Sequence, residues 1–209
     1  KISRILEVAR RLPMFTLSDL ASMETDRTYL RILLSRYAKS GAITRLKKGM
    51  YVTKEYLDTV GKNGHLKSYA EFLAGILYAP SYVSLEYVLH QHSIITESPV
   101  AVTAVTRKKT ASFSTPFGAY QYHSISSALF TGFTTTRESD YLLYRASVAK
   151  ALFDFLYFRK SSLMNAEGIK ELRLNLDGLT KNDRKELAGY VALEGSSRMK
   201  NIYETLWKK

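Results

Sequence analysis

The sequence predicts an α+β fold in two parts, and three observations carry that expectation. Apolar residues recur at helical spacing through the first 40 positions. Two short β-prone runs meet at a Lys-Lys-Gly turn near residue 48. A block between residues 100 and 136 alternates apolar with small or polar residues.

The N-terminal part can be justified element by element. Ile2, Ile5, Leu6, Ala9 and Leu12 share one stripe of a first helix, which Pro13 stops. Thr16 or Ser18 then caps a short second helix that turns Leu17, Leu20 and Met23 inward. A third helix is expected from about Thr25 or Asp26, because Leu30, Leu33, Leu34, Tyr37 and Ala38 stand at i, i+3, i+4, i+7 and i+8; Gly41 ends it. Its opposite side carries Thr28, Arg31, Ile32, Ser35, Arg36 and Lys39, with Arg27 and Tyr29 flanking the first turn. The stretch GAITRLKKGMYV, residues 41–52, then reads as a hairpin: Gly49 supplies positive φ, and Ile43, Met50 and Val52 tie it to the helices. Ile43 and Leu46 cannot share a face of a regular strand, so a bulge or early turn is expected. Three such helices and a hairpin make a winged helix-turn-helix, with the third helix in the recognition position.

After a turn-rich linker in Tyr56 to Lys67, a boundary near residue 60 divides the 209 residues into a winged helix-turn-helix over 1–60 and a mixed α/β domain over 61–209. In the second domain Ser68 to Leu77 reads as a buried helix and Ser81 to Leu89 as another, with Ser84 a candidate cap. Residues 100–106, 112–115, 119–125 and 129–134 read as strands of a small, mostly antiparallel sheet. Tyr141 to Phe158 reads as one long helix, apolar nearly all round, packed on that sheet. Helical patterns near 166–174, 180–192 and 197–207 wrap the outside.

Charge is concentrated at the front. Residues 1–54 hold 12 Lys and Arg against 4 Asp and Glu, a net +8, whereas the remaining 155 hold 19 against 15, a net +4. A basic quarter beside a nearly balanced remainder suggests a module that meets a polyanion, the alternative being a basic surface kept for solubility. Arg45, Lys47 and Lys48 would neutralise phosphates beside a groove occupied by the third helix, and Arg31 and Thr28 are the candidate base readers. Arg36 and Lys39 suit phosphate.

Other chemistry is excluded by pattern. No cysteine is present, which rules out disulfides and thiol nucleophiles. His90 and His92 would project to opposite sides of a helix and cannot share a metal. There is no Walker loop, GxGxxG or GxSxG, and the strand at 100–106 has no acid to hold Mg²⁺. No catalytic residue, metal site or cofactor is therefore expected. Tyr69, Tyr78, Tyr82 and Tyr87 could stack bases, but their spacing beside leucines suits a core. No apolar run approaches the roughly 20 residues that cross a bilayer, so a cytoplasmic address without membrane contact is expected.

Two passages carry a resemblance. One is the hairpin, with its glycine, aliphatic, basic stretch and Gly-Met-Tyr close. The other is APSYVSLEYVL, residues 79–89, followed by VTAVT at 102–106 and LFTGF at 129–133. In these the chain resembles the AbiEi antitoxin family of abortive-infection transcriptional regulators. The resemblance implies a repressor of its own two-gene operon, bound to double-stranded operator DNA as monomer or dimer, that opposes a nucleotidyltransferase toxin without a stable complex. It maps DNA contacts onto Arg27, Thr28, Arg31, Arg36, Arg45, Lys47 and Lys48, to which Ser35 is added from its place on the helix. The alternative is a winged-helix transcription factor without a toxin partner, whose C-terminal domain binds a ligand or dimerises.

Overall fold

A computed structural model describes residues 2–22 and 26–208, with side chains from residue 5 onward. The fold is α+β, and it divides into two compact units: Lys1–Tyr69 with Phe113–Gly118, and Ala70–Ser112 with Ala119–Lys209.

In the first unit the helix α1 (Ile2–Ala9) precedes a two-residue strand β1 (Phe15–Thr16), and α2 (Arg27–Lys39) leads into the hairpin strands β2 (Ile43–Lys47) and β3 (Met50–Thr53). The expected second helix is absent from the described residues. Residues 17–22 run as successive turns instead, held where the backbone N–H and hydroxyl of Thr16 both donate to the Asp19 carboxylate, at 2.6 and 2.8 Å. A segment this short forms one intrahelical turn at most, and the local Thr16–Asp19 bonds compete for its backbone. Met23 and Thr25 lie outside the described residues, as does the side chain of Ile2. Strand β3 is central, pairing antiparallel with β1 and β2. The β2 register slips between Arg45 and Lys47, which is the bulge that the burial of both Ile43 and Leu46 demands. Gly49 takes φ +82° in the turn. Ile5, Ala9, Phe15, Leu20, Leu30, Leu33, Leu34 and Ile43 make one buried cluster. The segment read as a linker holds a nine-residue helix, α3 (Lys54–Lys62), whose N-terminus the Thr53 hydroxyl caps at Tyr56. Tyr69 closes the unit by donating its hydroxyl proton to the Pro13 carbonyl at 2.8 Å.

The second unit begins at Ala70, inside α4 (Leu66–Leu77), and leaves out Phe113–Gly118. From α4 onward the chain forms β4 (Ser81–Val83), α5 (Leu85–Gln91), β5 (Ala101–Thr106), β6 (Ala111–Thr115), β7 (Gly118–Ser124), β8 (Phe133–Glu138) and β9 (Tyr141–Ala146), then α6 (Val148–Arg159), α7 (Ala166–Lys170), α8 (Lys181–Glu194) and α9 (Ser197–Leu206). The sheet runs β6-β7-β5-β4-β9-β8 and is mixed, not mostly antiparallel: β5 with β7 and β4 with β9 are parallel, whereas β4 with β5 and β8 with β9 are antiparallel. All six residues of β5 are buried, as both-sided coverage of an interior strand requires.

Two expected helices are corrected. Ser81–Val83 is a strand, and the helix begins only after Ser84. Tyr141 to Phe158 is a strand followed by a helix: Tyr141 and Leu143 are buried while Leu142 is 48% exposed, the period-two alternation of a strand, and the Ser147 hydroxyl caps α6 at Lys150 N.

At the start of α6, Gly132 holds φ +76°, and a β-carbon there would stand 2.2 Å from Tyr190 Oη and 2.9 Å from Lys150 Cδ. Tyr190 cannot yield, because its hydroxyl donates to Glu186 at 2.6 Å. Gly132→Ala is therefore expected to cost about 2–4 kcal/mol, the sum of overpacking and a left-handed alanine, as a lower urea midpoint at unchanged slope.

Candidate nucleic-acid interface

The exposed side of α2 is built by its ends and its leucines. Asp26 caps the N-terminus, its carboxylate accepting from Thr28 N at 2.8 Å and Tyr29 N at 3.0 Å. At the other end Gly41 adopts φ +76°, with Gly41 N bonded to Ala38 O and Ala42 N to Tyr37 O, so that the last carbonyls are satisfied and the chain turns into β2. Leu30, Leu33 and Leu34 are buried, which fixes the rotation of the helix. Arg27, Thr28, Arg31, Ser35 and Arg36 consequently all lie on one exposed face, with Lys39, Tyr29 and Ile32. Arg36 and Lys39 in the last turn also suit the negative end of the helix dipole.

The hairpin packs beside α2 through β2. Arg45 is exposed, and its Nε donates to Lys47 O at 3.4 Å across the bulge. Lys48 is exposed at the turn. Lys47 differs: it is half-buried, its ammonium 5.5 Å from the ring centre of Phe113. From Arg27 through Lys54 the chain has eight Lys and Arg and no Asp or Glu. Among the described residues, the ion pairs of this unit are Arg10–Glu55 and Lys54–Asp58, so Arg27, Arg31, Arg36, Arg45 and Lys48 have no carboxylate within pairing distance. Such a face holds positive potential that its own chain does not cancel. Tyr29 and Ile32, exposed at 39% and 49%, stand on the same face although neither was among the expected contacts.

The second unit contains a constellation of reactive residue types that sequence spacing did not reveal. The Asp154 carboxylate accepts from Lys150 Nζ at 2.5 Å, Ser84 Oγ at 2.7 Å and Tyr82 Oη at 3.1 Å. Lys150 Nζ also faces the rings of Tyr82, Phe153 and Tyr190. Burial pushes the Asp154 carboxyl up and the Lys150 ammonium down, and their mutual attraction opposes both shifts. Ser84, Lys150 and Asp154 are 0% exposed and Tyr82 is 1% exposed, so no substrate reaches them and the cluster is a core network. Tyr69 and Tyr82, candidates for base stacking, are both core residues. Among the described residues no group of three or more His, Asp or Glu could hold a metal ion, and no helix is long and apolar enough to cross a membrane.

The basic, acid-free segment lies in a stretch that matches a family of transcriptional regulators: residues 3–54, roughly a quarter of the chain, fit that family's model. The family is the AbiEi antitoxin, a class of regulators and antitoxins and not of enzymes. No curated protein matches the chain.

Proposed function

We propose that the chain is a DNA-binding autorepressor and antitoxin. In this reading residues 1–60 work as a winged helix-turn-helix, with α2 entering the major groove and the β2–β3 hairpin as the wing on the flanking backbone. Arg27, Arg36, Arg45, Lys47 and Lys48 bind phosphates, and Thr28, Arg31 and Ser35 approach base edges. Residues 61–209 form the antitoxin-type domain that opposes a nucleotidyltransferase toxin in the cytoplasm, without a stable complex and without catalysis. The observation that carries the reading is the uncompensated cationic face of α2 beside an equally cationic hairpin. Its match to the regulator family supports the same assignment.

Duplex binding should weaken steeply with salt. If the five cations assigned to phosphates each neutralise one, log K against log salt has a slope of about −4.5. Fluorescence anisotropy on a labelled duplex between 50 and 300 mM KCl measures it, where these concentrations span roughly the range over which counterion release is resolved. A flat salt dependence, or no binding, would remove the nucleic-acid assignment. The match ends at residue 54, which favours keeping one second reading: a winged-helix transcription factor whose other unit binds a ligand or dimerises. An adjacent nucleotidyltransferase gene, and growth rescue by the full chain when that gene is expressed, separates the two.

A further inference from the structure

The exposed face of α2 has an order across its width. At about 100° per residue, the side chains of its first two and a half turns run Arg31, Ser35, Thr28, Ile32, Arg36 around the helix, each about 20–40° from the next, and Lys39 follows between Thr28 and Ile32 only in the last turn. From Thr28 to Arg36 short side chains occupy the middle and long cationic ones the margins. The helix can therefore lie deep in a groove about 12 Å wide while its arginines reach the walls. Ile32 sits in that middle, one turn after Thr28 and about one before Ser35, and its 49% exposure is the anomaly. It contributes little to the leucine seam opposite, and as a β-branched residue it is a poorer helix former than leucine or alanine. Its neighbours on the face are all hydrogen-bonding or charged, so on binding it gains only from an apolar group inside an otherwise polar and anionic surface.

The major groove floor offers one such group. Guanine, cytosine and adenine present donors and acceptors there, whereas thymine adds a C5-methyl. We infer that Ile32 is a specificity-determining residue that packs on a thymine methyl, so that the bound sequence contains a thymine within the short stretch spanned by Thr28 and Ser35. Over cytosine the same side chain would cover a polar edge and recover no apolar contact. This inference rests on the DNA-binding reading and adds which base the helix selects.

The test uses the full chain and a randomised duplex library. Winning sequences are resynthesised with deoxyuridine at each thymine in turn, which deletes only the methyl. Affinity should fall about 3–5-fold at one thymine per bound α2, the yield of one apolar carbon buried. Ile32→Ala should bind the thymine duplex more weakly by a similar factor and be indifferent to uracil at that position. Ile32→Val should keep part of the uracil penalty. The side chain is outside the core, so both variants should retain the wild-type circular dichroism and melting temperature. Selective binding that ignores every thymine-to-uracil change overturns the thymine contact while leaving DNA binding intact, as does a full uracil penalty in Ile32→Ala. A library from which nothing is enriched or bound overturns the DNA-binding reading itself.

Discussion

Replacing Asp154 with alanine is expected to lower the stability of the second unit by about 3–5 kcal/mol, the loss seen when one member of a buried ion pair is removed. The carboxylate accepts three hydrogen bonds, from Lys150, Ser84 and Tyr82. Without it the Lys150 ammonium stays inside a cage of aromatic rings with no counterion, and two hydroxyls lose their acceptor. Water cannot enter to compensate, because Lys150 and Asp154 are both fully buried. Lys150→Met should be damaging for the mirrored reason, a buried carboxylate left with hydroxyl donors alone. The double variant Lys150→Met/Asp154→Leu should recover most of the loss, since desolvation is then avoided at both sites. Urea denaturation followed by circular dichroism would read all three. A double variant as unstable as the sum of the singles would mean that the network stabilises through geometry and not by mutual neutralisation of two charges.

The same network shows where local sequence reading stops. Ser84 looks like a helix cap by position, and it does precede α5, but its hydroxyl is spent on Asp154, 70 residues away. No spacing rule connects residues so distant, and tertiary packing decides the partner. In contrast α2 was legible almost in full. Its leucine stripe, a start near Thr25 or Asp26 and the Gly41 terminus are local features that agree with one another, and the exposed face follows once the buried face is fixed. The bulge in β2 was legible for a similar reason: two apolar residues three apart cannot both be buried on a regular strand.

Tyr141 to Phe158 failed for a physical reason as well. A strand and a helix that are both largely buried are apolar at most positions, so their joined sequence resembles one all-round apolar helix. Only the exposed Leu142 between Tyr141 and Leu143 marks the strand, together with Ser147 as the cap that restarts the chain as α6. The parallel pairings of β5 with β7 and β4 with β9 were also beyond local reading, because strand direction within a sheet is set by connections that hydrophobic pattern does not encode. Lys47 illustrates the remaining gap: sequence shows a hairpin lysine, whereas structure shows one half-buried over Phe113, a residue 66 positions away.

That difference selects the variant for the largest expected effect on binding. Charge reversal at Lys47 would also disturb its contact with Phe113, so a loss of binding would be ambiguous. Arg45 and Lys48 are exposed and have no carboxylate partner among the described residues, so Arg45→Glu/Lys48→Glu gives up only the long Arg45–Lys47 carbonyl bond at 3.4 Å and is expected to keep the wild-type circular dichroism and melting temperature. At about 0.1 M salt, losing two phosphate contacts weakens duplex binding roughly 10²-fold, and the added negative charges increase that figure. The salt slope should become shallower by about 2, and the loss should be uniform across sequences, because backbone contacts position a protein without reading bases. Thr28→Ala and Arg31→Ala should behave differently, flattening the preference among sequences more than the affinity for any one of them. Anisotropy titrations at four salt concentrations on a selected and a scrambled duplex, four being about the fewest that define a slope, distinguish the two patterns. If the double reversal binds as tightly and with the same slope as the unaltered chain, the hairpin does not touch DNA, and α2 alone must account for whatever binding is measured.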